Sequence, residues 1–197
     1  MSWPPHGLVL TAPGVVLRGM TEADAFALGR VAPPDLEHDP RLPDLGVPVL
    51  QAYWGQLGRW RRDDWVLPFV VLHQGEPVGL QALEGTDFAV RRTVDTHSWL
   101  VPQARGLGLG TQMRAVVLEL AFAHLGARWA VSEAFEDNAA SLGVSRALGY
   151  RDNGVDLRRH GDAARTLQRF RLDAQDWRCP VPVAVEGLEP CLPLLGL

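Results

Sequence analysis

Apolar positions along this chain switch repeatedly between a period of two and a period near 3.6, and each switch marks an element. Residues 8–10 and 15–18 read as strand segments around Ala12-Pro13-Gly14. Thr21, with Asp24 three positions on, predicts a capped helix running to about Val31. Residues 32–49, rich in Pro and Asp, read as a surface loop. Apolar side chains at 50, 53, 54, 57 and 60 then make a helical stripe over 50–61. Residues 66–74 and 77–84 predict a hairpin about Gly75-Glu76, and 90–101 a longer strand. A helix starting near Thr111 buries Met113, Val116, Val117, Leu120 and His124 on one face. A short strand (128–134), a helix opening at Asn138 and two strands near 150–159 and 165–172, flanking Gly161-Asp162, complete the series. Without an internal repeat, the alternation predicts one α/β domain.

The last twenty positions break that pattern. Val181-Pro-Val-Ala-Val alternates weakly, and its prolines restrict any strand to an edge. Residues 178–197 are therefore set apart as an extension, either a strap packed on the 1–177 domain or a homodimer contact.

Composition narrows the class. The 197 residues can bury a substantial core, at 47% hydrophobic and 21% charged content. A net charge of −4 offers no general attraction to nucleic acid or to an anionic membrane. No apolar run approaches a membrane span, and Met1-Ser-Trp-Pro-Pro lacks the basic start of a signal peptide. Cys179 and Cys191 are too few and too far apart for a zinc site, and no metal is predicted. The expected address is the cytoplasm, with both thiols reduced.

The most informative stretch is Gln-Ala-Arg-Gly-Leu-Gly-Leu-Gly-Thr, residues 103–111, between a strand and a helix. Glycines at 106, 108 and 110 let backbone approach a ligand closely, the following helix adds its positive dipole end, and Arg105 adds a cation. This is a pyrophosphate cradle. A nucleotide P-loop needs Lys-Ser/Thr after the last glycine, but Thr111 and Gln112 follow Gly110. A dinucleotide fingerprint finds Gly106 and Gly108 but then Thr111, although an acid, Glu133, follows on the next strand. The third pattern is Arg/Gln-x-x-Gly-x-Gly.

A second motif lies downstream: Asp137-Asn138-Ala139-Ala140-Ser141 opens a helix that ends in Leu148-Gly149-Tyr150. Together the two motifs resemble the acyl-CoA sites of the GNAT superfamily of N-acyltransferases. Asn-x-x-Ser, with Trp99-Leu100 before the loop, is similar to the branch named for the ribosomal-protein acetyltransferases RimJ and RimL. The resemblance extends over roughly 15–177. Within 65–177 it looks closest to actinobacterial members, some of which accept a succinyl group.

That resemblance implies a mixed, mostly antiparallel twisted sheet of six to seven strands flanked by about four helices, with a splayed strand pair at the CoA site. It also implies direct transfer of an acetyl or succinyl group from acetyl-CoA or succinyl-CoA to a primary amine, on a small molecule or a protein N-terminus or lysine. By the same token Leu100 and Val101 would offer amides to the acyl carbonyl. The run Arg105, Gly106, Leu107, Gly108, Leu109, Gly110 and Thr111 would hold the pyrophosphate, and Asn138 the pantetheine arm. Many members carry a tyrosine four residues after the Ser141 position to protonate the CoA thiolate; here Ser145 stands there, and Ser141 becomes the candidate.

For the base, alternation places Asp95, His97 and Trp99 on one strand face. Asp95 leads, through a direct or water-mediated proton transfer, with His97 and Glu133 as alternatives. Tyr53, Trp54, Trp60 and Trp65 fall where the family covers its acceptor, and Arg59, Arg61 and Arg62 could read a carboxylate or be solvated surface. Two other classes remain open from the residues: a non-catalytic acyl-CoA sensor, and a dinucleotide-binding oxidoreductase.

Overall fold

The computed structural model describes residues 3–36, 44–160 and 162–197. The chain opens with the hairpin β1 (Val9–Ala12) and β2 (Val15–Gly19), followed by α1 (Glu22–Val31) and α2 (Gly46–Arg59). Next come β3 (Asp64–His73), β4 (Glu76–Thr86), a single helical turn α3 (Phe88–Arg91) and β5 (Thr93–Leu100). The second half holds α4 (Leu109–Glu119), β6 (Trp129–Phe135), α5 (Ala139–Ala147), β7 (Arg151–His160), β8 (Ala163–Asp173) and β9 (Ala184–Glu186).

The nine strands of the described residues join one sheet in the order β7-β8-β6-β5-β4-β3-β2-β1-β9. Every neighbouring pair is antiparallel except β5 and β6. Helices cover both faces. Ala25 and Leu28 of α1 and Val49 and Tyr53 of α2 pack with Val70, Leu80 and Ala82 on one side. Met113, Val116, Val117 and Leu118 of α4 pack with Leu17, Leu67, Phe69 and Val71 on the other. Covered on both sides, β3 is buried almost without interruption from Trp65 to Val71, where a one-faced strand would alternate. Trp65 lies across from Gly85, where an added Cβ would come within 2.5 Å of the indole, so the glycine makes room for the largest core side chain.

Local chemistry sets the element ends. Thr21 and Asp24 form the anticipated capping box, the Thr21 hydroxyl accepting from the Asp24 N–H and the Asp24 carboxylate from the Thr21 N–H. The loop expected over 32–49 is shorter than its composition suggests. Asp44 Oδ1 accepts from the N–H groups of Gly46 (2.8 Å) and Val47 (3.1 Å) and starts α2 there. Pro48 sits in the first turn, where no intrahelical donor is needed. Residues 37–43 of that loop, Gly161 of the last turn and Met1-Ser2 lie outside the described residues.

Three further expectations are corrected. The strand placed at 90–101 begins only at Thr93, because Phe88 is drawn into the core by the helical turn α3 between positive-φ residues Asp87 and Arg92. His124 is exposed: residues Leu120–His124 take a π-helical turn, and Leu125 instead takes the inward place. The sheet has nine strands rather than six or seven, the terminal hairpin and β9 extending one edge.

At that edge β9 pairs with β1 through Leu10 and Val185, Cys191 and Leu195 are fully buried, and Trp60 Nε1 donates to the Leu194 carbonyl at 3.2 Å. The parallel pair at the sheet centre does the opposite. Strands β5 and β6 pair at only three positions, ending with Asp95 and Val131, and then part. The fork so formed is the centre of the candidate site.

Candidate active site

On the α4 side of the fork lies a cleft of about 450 Å³, lined by Trp99, Leu100, Arg105, Gly110, Asn138 and Ser141 among others. Arg105 and Gly110 bring the two ends of the glycine loop to it. Gly106 and Gly108 both have φ near +76°, with open space where a Cβ would stand. The helix begins at Leu109, two residues before the expected Thr111, so Gly110 and Thr111 belong to its first turn. Gln112 makes the first bond back to Gly108 (3.2 Å), which leaves the N–H groups of Leu109, Gly110 and Thr111 ahead of the intrahelical ladder. Leu109 anchors the turn in the core, Leu107 is exposed, and a Cβ at Gly110 would stand 3.6 Å from Val144. Such a turn presents donors and the helix dipole to an anion.

Arg105 is not the free cation that the sequence suggested. Its Nη1 and Nη2 donate to both carboxylate oxygens of Asp35 (2.8 and 2.9 Å), and its Nε to the Leu100 carbonyl (3.0 Å). Hydrogen bonding to Arg105 holds the Asp35 carboxyl below its ordinary range. The two amides expected at the carbonyl separate as well. Val101 donates its N–H to Val78 O at 2.9 Å and does not offer it to a ligand. Strand alternation turns the Leu100 N–H to the opposite edge, into the gap. Asn138 caps α5, accepting from the Ser141 N–H at 3.0 Å, and it lines both sides of the fork, as does Ser141.

Beyond the fork lies a second pocket of about 440 Å³ that gathers carboxylates: Glu84, Asp95 and Glu133, with His97, Ser98, Ser141 and Arg158. Glu84 faces Asp95 across the β4–β5 ladder. Burial, assisted by Glu84 and Glu133 and opposed by the Thr96 N–H bond (2.6 Å) and His97, raises the Asp95 pKa from 3.8 to about 6. His97 meets Glu84 through Nδ1, and this hydrogen bond holds the Glu84 carboxyl below its ordinary range. Glu133 is paired with Arg158 of β7. Of the three base candidates, Asp95 alone makes no ion pair among the described residues, and its pKa is raised. A narrow apolar pocket of about 170 Å³ continues from there, lined by Met20, Tyr53, Gln56, Leu80, His97 and Trp99.

The three acceptor-site tryptophans are corrected. Trp65 is a core residue at 1% exposure, packed on Phe88. Trp60 meets Trp3 edge-on and holds the tail. Trp54 points outward, donating to Glu22 at 2.8 Å. A helical stripe reports burial, and only Tyr53 of that stripe reaches the pocket, where Trp99 supplies the aromatic wall. Arg61 and Arg62 line neither cleft, and Arg59 lies near enough to Glu84 to help lower its pKa.

Sequence reasoning missed two groups. Glu84 closes an apolar strand, and its role depends on register. Arg114 is the lone charge in the buried run of residues 113–118, a signal visible in the sequence. Ser145, sealed in the core, is its partner: Arg114 Nη1 donates to Ser145 Oγ at 2.9 Å. A wider apolar groove of about 620 Å³ between α1 and α2 contains none of these groups.

With this geometry in place, residues 14–151 match the model of the acetyltransferase (GNAT) domain. Mycobacterium smegmatis RimJ in complex with CoA-disulfide shares the fold at TM-score 0.74 and 23% identity, covering 89% of this chain and 91% of that one. A SpeG spermidine N-acetyltransferase chimera from Vibrio cholerae and hSSAT gives 0.68 at 14% identity, covering 82% and 96%. A GNAT-family acetyltransferase from Bacillus anthracis gives 0.68 at 13%, covering 85% and 99%. At these identities the solved structures show a common fold.

Proposed function

This chain belongs to the acetyltransferase (GNAT) family and is an acyl-CoA-dependent N-acyltransferase, and on that premise we propose that it moves an acetyl group from acetyl-CoA to a slender primary amine that arrives as a cation. The carrying observation is the asymmetry of the fork: main-chain donors on one side, three carboxylates on the other. The carboxylate side would attract an ammonium group and repel the free carboxylate of a succinyl donor. The narrow pocket beside Leu80 and Trp99 suits an aliphatic stem, on a small molecule or on a protein lysine or N-terminus. Neither a non-catalytic sensor nor a dinucleotide oxidoreductase is favoured by the family match.

In the proposed arrangement Leu100 N–H polarises the acyl carbonyl, the loop from Arg105 to Thr111 holds the pyrophosphate, and Asp95 accepts the amine proton, directly or through water. Binding exchanges the Asp35 carboxylate for pyrophosphate oxygens at Arg105. Asn-x-x-Ser at 138–141 supports the RimJ/RimL-like branch. The burial of Cys191 and Leu195 on their own domain supports a strap over a dimer contact for residues 178–197. A reducing, cytoplasmic setting fits two free cysteines.

Thermal melting with acetyl-CoA, succinyl-CoA and NAD, followed by thiol release against diamines and amino acids, tests the reading. A ligand at a hundredfold its Kd stabilises by about 2.7 kcal/mol. Acetyl-CoA should shift the melt and turn over with diamines. Higher kcat/KM with succinyl-CoA would reverse the donor assignment, and no shift with either thioester would defeat the cradle.

A further inference from the structure

Arg114 lies under the fork, 5% exposed, and lines both the donor cleft and the carboxylate pocket. A guanidinium stays charged in proteins, and burying one calls for a compensating anion. None is in contact here. Nη1 donates only to the neutral hydroxyls of Ser145 (2.9 Å) and Ser132 (3.4 Å). Nε is sealed without a partner. Asp95 is the carboxylate whose charge acts on Arg114, but it directs Oδ1 to the Thr96 N–H and makes no ion pair with Arg114 among the described residues. Tyr150, the other neighbour, is buried with its hydroxyl beside Thr96, its pKa pushed up by burial.

The reaction itself produces an anion at this place. The amine nitrogen attacks the acyl carbon, the carbonyl π pair moves to oxygen, and the amine proton leaves to Asp95 or water. The tetrahedral species then collapses, the C–S bond breaks, and its electron pair leaves on the CoA sulfur, which later takes up a proton. Among the described residues that line the donor cleft there is no tyrosine or cysteine, and Ser145 is bonded to Arg114.

We propose that Arg114 is a further catalytic residue of the acyl transfer, its buried guanidinium stabilising the CoA thiolate as the C–S bond breaks. The inference rests on the acyltransferase reading above. It makes the chain's answer to the missing phenol an electrostatic one: the enzyme expels a thiolate beside a fixed cation rather than protonating it in the same step. Asp35, the carboxylate of the donor cleft, pairs with Arg105 and not with Arg114 among the described contacts.

The test is an ultraviolet titration of the thiol of free CoA bound to the intact protein. In the wild type the bound thiol should ionise at least about one pH unit below CoA in solution, a tenfold gain in thiolate at a given pH. Arg114→Met should return the bound thiol to its solution behaviour and lower kcat by about 10²–10³-fold, with acetyl-CoA affinity within about threefold. Arg114→Lys should keep most of the thiol shift. A merely structural arginine would lower the melting temperature of both variants alike and leave the thiol unmoved. Should Arg114→Met not fold, the wild-type titration decides alone. Bound CoA whose thiol ionises as in solution overturns this inference while leaving the acyltransferase reading intact; failure of CoA to bind at all removes both.

Discussion

The two sides of the fork are built by different means. The donor side is main chain: Gly106 and Gly108 at positive φ, the leading N–H groups of α4, and the inward amide of Leu100. The acceptor side is side chain: Glu84 from β4, Asp95 and His97 from β5, Glu133 from β6 and Arg158 from β7. A diphosphate is recognised by geometry that a short run of residues can encode locally. The proposed amine site draws on charges from four strands, and no local run contains them.

The sharpest way to break the comparison is at Asp95. Asp95→Asn should lower kcat by about 10²–10⁴-fold while leaving acetyl-CoA affinity unchanged, as read by steady-state kinetics and calorimetry. The same variant should melt higher than the wild type at alkaline pH. The fold raises this carboxyl from 3.8 to about 6, so the folded state holds the proton more tightly than the unfolded chain does. That contribution is fully present below 3.8, is lost as the pH rises through about 6, and is on the order of 3 kcal/mol when complete. A gain in melting temperature for Asp95→Asn at pH 8 that vanishes at low pH is the expected signature. In the wild type, kcat/KM should rise with pH to a plateau, its half-point near 6; a flat acid limb would reassign the base.

On the donor side, Gly108→Val places a β-branched residue at φ +76°. Strain of about 1–3 kcal/mol predicts roughly tenfold or greater loss in acetyl-CoA affinity, with the thiol-to-amine chemistry intact at saturation. Asp35→Ala should act in the other direction. Releasing Arg105 from an exposed pair worth about 0.2–1 kcal/mol should tighten acetyl-CoA binding up to about fivefold; weaker binding would mean that Asp35 orients the arginine instead. The smallest effect is expected at Trp54→Ala, which removes an outward-facing indole and should leave the acceptor KM within about twofold.

The donor side was legible because its signals are short. The spacing 105–110 and the motif 138–141 each lie within one strand–loop–helix step, and the Thr21–Asp24 box is four residues long. Errors arose where a local pattern met a tertiary contest. His124 fits the helical stripe, yet a π turn hands its inward place to Leu125. Trp54, Trp60 and Trp65 look like one aromatic group, yet they separate to the surface, the tail and the core. Val101 sits beside Leu100, yet its N–H belongs to the β4 ladder.

Sequence by itself determined the period of most elements, the positive φ of Gly106 and Gly108 and the order of the two motifs, because these depend on backbone sterics and on neighbours within a few residues. Only the tertiary structure decided that β5 and β6 separate after Asp95, that Glu84 and Glu133 converge on that carboxyl, and that Arg114 is sealed beneath it. Strand register and burial are set by the whole sheet, and the charge a residue carries into a reaction follows from them.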